Sequence, residues 1–413
     1  MENPYRKFVK YFIVAYFSSL FLGNGVFFLF VKNNPEPIPL VQANQIEREV
    51  SFEVTEVEFE TTSEEILTFP PEVVKAVYLT SWSASIKSNI DYVIDIASST
   101  EINAVVIDIK DFSGYVAYDT KLASVKNYGA EQIRLPDIVS IIQKLHDEGI
   151  YVIARITVFQ DPVLARARPD LAVRSKAELS SETSTSPLWL DNLGLAWVDP
   201  AAEEVWIYNA NIAREAVSLG FDELNFDYVR FPSDGNLEDM SFSFWDGVTP
   251  RHVIIKNFFE NLRQELPDLR LSVDLFGLST VNYDDLGIGQ VIEDAYQYFD
   301  YVCPMVYPSH YAPGFQGYPE PAKYPYEVVK YSIEKASGRL KASNQAREVY
   351  LRPWLQDFNL GARYDAEMVR AQIKAVEEAT GDNFRGFMLW NSWNVYTKDA
   401  LRPFYQPPEE TIY

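Results

Sequence analysis

Beginning at Val74, a short β-branched or aromatic run, a polar loop and a longer stretch of helical spacing follow one another repeatedly. The strand-like runs fall at residues 74–80, 104–110, 151–158, 223–228, 270–276, 301–306, 349–353 and 386–390. Between them, sets such as Ile90, Val93, Ile94 and Ala97, or Ile138, Ile141, Ile142 and Leu145, place apolar residues on one helix face. Further helical stretches read at 205–219, 253–266, 291–298, 326–336 and 366–379. Asp199-Pro200 and Leu135-Pro136 mark helix starts, and Glu148-Gly149 and Leu219-Gly220 mark helix ends. Strict β/α alternation implies a parallel sheet, because parallel strands need a crossover. Eight such units predict an α/β fold, a (β/α)8 TIM barrel over residues 74–405. A doubly wound open sheet is the alternative, and its glycine-rich nucleotide fingerprint is missing. The connection from Gln160 to Asp199 is long and is expected to shape the barrel mouth.

Composition narrows the chemistry. Hydrophobic residues are 47% and aromatics 15% of the 413 residues, which suits a packed core and not a disordered chain. A net charge of −23 repels phosphates, so nucleic acid is not an expected partner. The single cysteine, Cys303, allows no internal disulfide and no thiolate metal cluster. His146, His252 and His310 do not make an HExxH zinc helix, so neither metal nor cofactor is expected. Carboxylates, amides, Trp and Tyr are plentiful, and these side chains commonly line sugar sites.

Residues 11–31 are almost wholly apolar, long enough as a helix to span the roughly 30 Å hydrocarbon core of a bilayer. Arg6, Lys7 and Lys10 precede them. The positive-inside rule then places residues 1–10 in the cytoplasm and the rest of the chain outside. A cleaved signal peptide is the rival, but its apolar region is usually only about 7–15 residues. The expectation is an uncleaved, single-pass signal anchor, with the lipid bilayer as partner and an extracytoplasmic barrel at the cell membrane. Residues 32–73, Pro-rich and then acidic, read as a stalk, and 406–413 as a tail.

In parallel barrels the chemistry sits at the C-terminal strand ends. The run GFDELNFDYVRFPSDG, from Gly220 to Gly235, puts Asn225 and Asp227 on one strand face and Leu224 and Phe226 on the other. A buried carboxylate beside an amide is costly unless it is paired or hydrated. Either Asp227 is tied to Arg230 as a structural ion pair, or it is an active-site carboxylate. The other strand ends carry Trp82; Asp108 and Lys110 in phase, with Asp111 one step on; Arg155; Asp274; Tyr307 and His310; Trp354, Gln356 and Asp357; and Trp390, Asn391 and Trp393. Glycoside hydrolysis needs two carboxyl groups, one protonated and one ionised. Arg155 or Arg230 would hold one of them ionised.

The motifs VVIDIKD, FDELNFDYVRFP, VDLFG, PMVYPSHY, RPWLQDF and GFMLWNSWNVY occur in that order between Val74 and Phe404. This set resembles the bacterial putative glycoside hydrolase domain family, a domain of unknown function related to amylase-like hydrolase barrels. The resemblance implies a TIM barrel and a glycosidase acting on the O-glycosyl bonds of a cell-surface or extracellular polysaccharide or oligosaccharide. By analogy with amylase-type barrels it implies Asp227 as nucleophile or base and Asp274 as acid partner, with Asp108 or Asp111 in reserve. Those barrels usually carry Glu on the fifth strand, where this chain has Asp274. The chitinase pattern D-x-x-D-x-D-x-E is also unmet, because Val229 stands at its acid position. Trp82, Lys110, Arg155, Asn225, Arg230, Tyr307, His310, Trp354, Trp390 and Asn391 form the expected substrate-binding set. Neighbouring strands about 4.8 Å apart could bring the two carboxyls to the roughly 5–5.5 Å of retaining enzymes; offset in height, they would reach the roughly 6.5–9.5 Å of inverting ones. The other readings are a non-catalytic carbohydrate-binding barrel at the cell wall and a metal-dependent polysaccharide deacetylase, the latter short of histidine ligands.

Overall fold

The computed structural model describes residues 71–180, 187–345 and 347–404. The expected cytoplasmic segment, signal anchor, stalk up to residue 70 and tail lie outside those residues. Among the described residues no helix is long and apolar enough to cross a membrane.

Eight parallel staves close into a ring. They are β1 (Val74–Leu79), β2 (Ala104–Lys110), β3 (Tyr151–Thr157), β4 (Glu223–Asp227), β5 (Leu271–Phe276), β6 (Tyr301–Met305), β7 in two segments (Tyr350–Leu351 and Trp354–Gln356) and β8 (Gly386–Trp390). Sequence neighbours are ring neighbours, and β8 closes on β1 through the pair Val74 and Gly386. Gly386 has φ +106°, and a Cβ there would meet the Val74 carbonyl oxygen at 1.7 Å. The seam therefore requires a residue without a side chain. The seventh stave breaks because Pro353 has no N–H to give the ladder. Its strand stops at Leu351 and resumes at Trp354.

Around the ring lie α1 (Lys87–Ser99), α2 (Ile138–Asp147), α3 (Glu203–Ser218), α4 (Arg251–Glu265), α5 (Ile292–Ala295), α6 (Pro325–Ala342) and α7 (Ala366–Thr380). The helix expected over 291–298 is only the one-turn α5. After β8 the described chain makes a 3-10 turn, Lys398–Ala400, and then runs back past the end of α1, where Glu101 N–H donates to the Arg402 carbonyl at 2.8 Å. Strand alternation sorts the core into two layers. Val105, Ile156, Leu224 and Phe226 face outward and pack with helix residues such as Ile142 and Leu145. Each such buried side chain contributes roughly 1.5–3 kcal/mol. Ala76, Val106, Ile153, Cys303 and Met388 face the lumen and fill it. The loops after β3 and β4 join above the ring, where Arg174–Ser175 pairs antiparallel with Met240–Ser241. The long connection after β3 thus helps build one wall of the mouth.

Candidate active site

Lumen-facing residues at the tops of β2 to β5 meet at one guanidinium. The ladders pair Asp108 with Arg155 and Arg155 with Asn225. Lateral partners share a face, so all three point into the lumen. Arg155 Nη1 donates to Asp108 Oδ1 at 2.6 Å, and Nη2 donates to Asp227 Oδ2. Its Nε lies 3.7 Å from Asp274 Oδ2, a contact between charges that is too long for a hydrogen bond. One cation therefore serves three carboxyl groups, none more than 4% exposed.

Three ionised carboxylates on one arginine would leave buried negative charge uncompensated, which costs several kcal/mol per ion. Taking up a proton relieves it. Asp274 is the group poised to do so. Burial first, and then the charge of Asp227, push its carboxyl up to about 8, with Arg155 opposing. Asp274 Oδ1 accepts from Trp354 Nε1 at 2.7 Å and from Asn225 Nδ2 at 2.9 Å, which leaves Oδ2 for the proton. Asp108 is also raised by burial, against the pull of Arg155. Burial alone would lower the Arg155 pKa; Asp108 and Asp227 hold it well above the usual range, so the cation persists.

Asp227 ends β4 at a strained turn. Tyr228 has φ +53°, a left-handed conformation that costs an aromatic residue roughly 1–3 kcal/mol and recurs at functional sites. There its N–H donates to Asp227 Oδ1 at 2.6 Å. Asp227 thus accepts from Arg155 on one oxygen and from backbone on the other.

Tyr78 belongs to the site, although the sequence reading did not single it out. Its hydroxyl donates to Asp108 Oδ2 at 2.5 Å, and its ring stacks on Trp390 with centroids 4.1 Å apart. Burial and then Asp108 raise its hydroxyl pKa well above the ordinary value. The signal was present: Val74, Ala76 and Tyr78 share one strand phase, and Tyr78 brings a polar tip near the top of it. Arg155 lies 5.3 Å from the Trp390 ring, so this half-buried indole forms part of the site wall. Tyr307 is close as well; burial raises its hydroxyl pKa, and Asp274 and Asp227 add to it. His310 packs edge-on to Phe358, and burial drives its imidazole down to about 3, so it is neutral.

Other expected residues are placed differently. A register shift between Asp108 and Lys110 pairs Lys110 with the outward Ile156. The expected common phase of Asp108 and Lys110 fails at this bulge. The Lys110 ammonium is fully buried beside Asp161 at 2.8 Å and the Thr157 carbonyl at 2.6 Å. Asp111 pairs with Arg134 at 2.6 Å and not with Arg155. Arg230 does not pair with Asp227, whose ion pair is with Arg155. Its guanidinium lies against Trp197, Tyr228 and Phe276 at 4.7–5.2 Å, and Nη1 donates to Ser233 Oγ at 2.8 Å. Trp354 is almost fully buried and orients Asp274, so it offers no open stacking face. Asn391 is committed to the turn after β8 through bonds to the Asp357 and Val395 carbonyls and from the Trp393 N–H. Trp82 stands exposed on the rim. Among the described residues no group of His, Cys, Asp and Glu is arranged to hold a metal ion.

Residues 76–396 match the family described as "Putative glycosyl hydrolase domain". No curated protein matches the chain. A hypothetical protein from Ruminiclostridium thermocellum is 37% identical over 51% of this chain and 98% of its own, with a TM-score of 0.43. The glycoside hydrolase domain of PgaB (BpsB) from Bordetella bronchiseptica is 15% identical, covers 79% of this chain and 95% of its own, and has a TM-score of 0.53, a likeness of fold. An α-galactosidase from Thermus thermophilus is 13% identical over 80% of this chain and 60% of its own, with a TM-score of 0.45.

Proposed function

The chain belongs to the putative glycosyl hydrolase domain family, and from that premise we propose that it is a glycosidase that cleaves a cell-surface or extracellular polysaccharide with Asp227 and Asp274 as its working pair. One observation carries the reading. A carboxyl pushed up to about 8 shares one edge of a guanidinium with Asp227, whose oxygens accept from Arg155 and from the Tyr228 N–H. Neutral Asp274 protonates the glycosidic oxygen as the bond to the anomeric carbon breaks. Asp227 attacks that carbon and forms a glycosyl ester. Asp274, now ionised, takes a proton from water, which opens the ester and frees Asp227. Asp227 and Asp274 approach the same edge of Arg155, its Nη2 and Nε, and this closeness favours the double displacement and retention of configuration. Asp108, tied to Arg155 and Tyr78, positions the arginine. Tyr307 and Trp390 line the sugar subsite.

The test is purified protein incubated with wall and storage polysaccharides and with aryl glycosides, followed by release of reducing ends and the anomer first formed. Retention, with a 2-fluoro glycoside trapped on the peptide carrying Asp227, is the expected result. No hydrolysis of any substrate would overturn the reading. The near-complete burial of the three carboxyl groups favours, in that event, a barrel that binds carbohydrate without cleaving it.

The proposal extends to location. The apolar run 11–31 and its basic N-terminal flank support a single-pass anchor with the barrel outside the cytoplasm. Protease added to intact cells should remove the barrel; a protected barrel would overturn this placement.

A further inference from the structure

The rim above β8 and β1 holds large apolar rings out in solvent on a frame built to keep them still. Trp393 is 59% exposed and Val395 62%, in the turn after β8. Trp82 is 47% exposed, in the short helix Ser81–Ala84 that follows β1. The turn is tied down at every step. Asn391 Oδ1 accepts the Trp393 N–H at 2.8 Å, and Asn391 Nδ2 donates to the Val395 carbonyl at 2.7 Å. Asn394 adopts φ +56°, a left-handed conformation tolerable for Asn, and its amide bridges to the Thr80 N–H at 3.2 Å and the Tyr78 carbonyl at 3.1 Å. The Tyr396 hydroxyl accepts the Tyr78 N–H at 2.8 Å. These bonds lock the Trp393 turn to the strand that carries Tyr78 and to the start of the Trp82 helix. On the other side, Arg134 lies 4.8 Å from the Trp82 ring and is itself held by Asp111 at 2.6 Å and Ser81 at 3.1 Å.

A fold gains nothing by fixing exposed indoles, whose apolar area it could have buried. The ledge is also continuous with the site, since Tyr78 stacks on Trp390 and bonds Asp108. Flat indole faces held rigid match the apolar C–H faces of pyranose rings. The net charge of −23 disfavours polyuronates and anionic lipid surfaces. We propose that this ledge, with Trp393 as its principal platform and Trp82 beside it, binds the sugar units of a neutral polysaccharide beyond the bond to be cleaved. The site then takes a polymer strand that crosses the mouth on the β8–β1 side. The inference rests on the glycosidase reading for its substrate class but can fail separately from it.

The experiment is affinity electrophoresis of the full chain in detergent, in native gels containing hydroxyethyl cellulose, glycol chitin, soluble starch or galactomannan, with polygalacturonate as the anionic contrast. The expected result is retardation in at least one neutral gel and none in polygalacturonate. Trp393→Ala should weaken retention about tenfold without lowering the melting temperature, and Trp393→Tyr should restore it. Should the alanine protein melt early, Trp393→Gln takes its place. Asp274→Asn should be retarded like the parent. Retention that ignores Trp393, retention by polygalacturonate alone, or no retention in any gel overturns the ledge. Trp393-dependent retention without hydrolysis of any substrate supports the ledge and removes the glycosidase reading. Hydrolysis without Trp393-dependent retention does the reverse.

Discussion

Among the described residues, Arg352 near the N-terminal end of the barrel lumen and Arg155 near its C-terminal end are both buried, and they are balanced differently. At the N-terminal end, Arg352 is fully buried, donates to Glu223 and lies 4.0 Å from the Tyr301 ring. One cation meets one carboxylate, and Tyr151, whose hydroxyl is 3.3 Å from Glu223, completes a closed plug. At the C-terminal end, Arg155 meets Asp108, Asp227 and Asp274. The lower pair holds strands together. The upper cluster has carboxyl groups in excess, and burial with the charge of Asp227 pushes the Asp274 carboxyl up to about 8. The ratio of charges, more than burial, separates a structural ion pair from a candidate reaction centre, since both are buried.

The hardest blow to that distinction is Asp227→Asn. Asn is nearly isosteric and can still accept the Tyr228 N–H, while Arg155 keeps Asp108. Turnover should fall about 10⁴-fold or more with the fold intact. A folded variant with full activity would put Asp227 in the same class as Glu223. Glu223→Gln should do the opposite. It leaves Arg352 buried without its counter-ion, at a cost of about 3–5 kcal/mol in denaturant unfolding, while turnover per folded molecule stays at the parent value. Lost turnover at unchanged stability would erase the contrast between the two ends.

The pH dependence sharpens the upper cluster. Asp274 must be protonated to act as acid, so turnover should fall tenfold per pH unit above about 8. The same raised pKa links to stability. Relative to an unfolded carboxyl near 3.8, the native protein binds the extra proton between pH 3.8 and about 8. Its stabilisation is complete below that window and is lost as pH rises through it. Asp274→Asn should flatten this slope in urea melts taken from pH 4 to 9. An unchanged slope would show that another group holds the proton.

The smallest expected effect is Tyr78→Phe. It removes one hydrogen bond to Asp108 and leaves the Trp390 stack, so a change of roughly 1.5–3 kcal/mol divided between stability and turnover is expected. A shift of the acid limb of the pH–rate profile would show that Tyr78 acts through the Asp108–Arg155 contact. Altered stability with an unchanged profile would make it packing alone.

The ring is legible in local pattern. Apolar alternation at period two and helical spacing between the strands are local patterns. They located all eight staves, and the tops of β2, β3, β4 and β5 supplied Asp108, Arg155, Asp227 and Asp274 by phase alone. Which charge meets which depends on how the strands stand against one another. Arg230 lies three residues past Asp227 in sequence, yet it turns to Trp197, Tyr228 and Phe276, while Arg155, opposite Asn225 on the neighbouring strand and on the same lumen face, reaches Asp227. Lys110 departs from the phase its strand spacing predicts, and the cause is non-local. One bulge against β3 turns it from lumen to outer layer, where Asp161 from a later loop neutralises it. Trp354 reads as a sugar platform in sequence, but the break at Pro353 resets its strand and aims its indole at Asp274. The excess of carboxyl groups over cations, on which the proposed chemistry depends, exists only once β2 to β5 stand side by side.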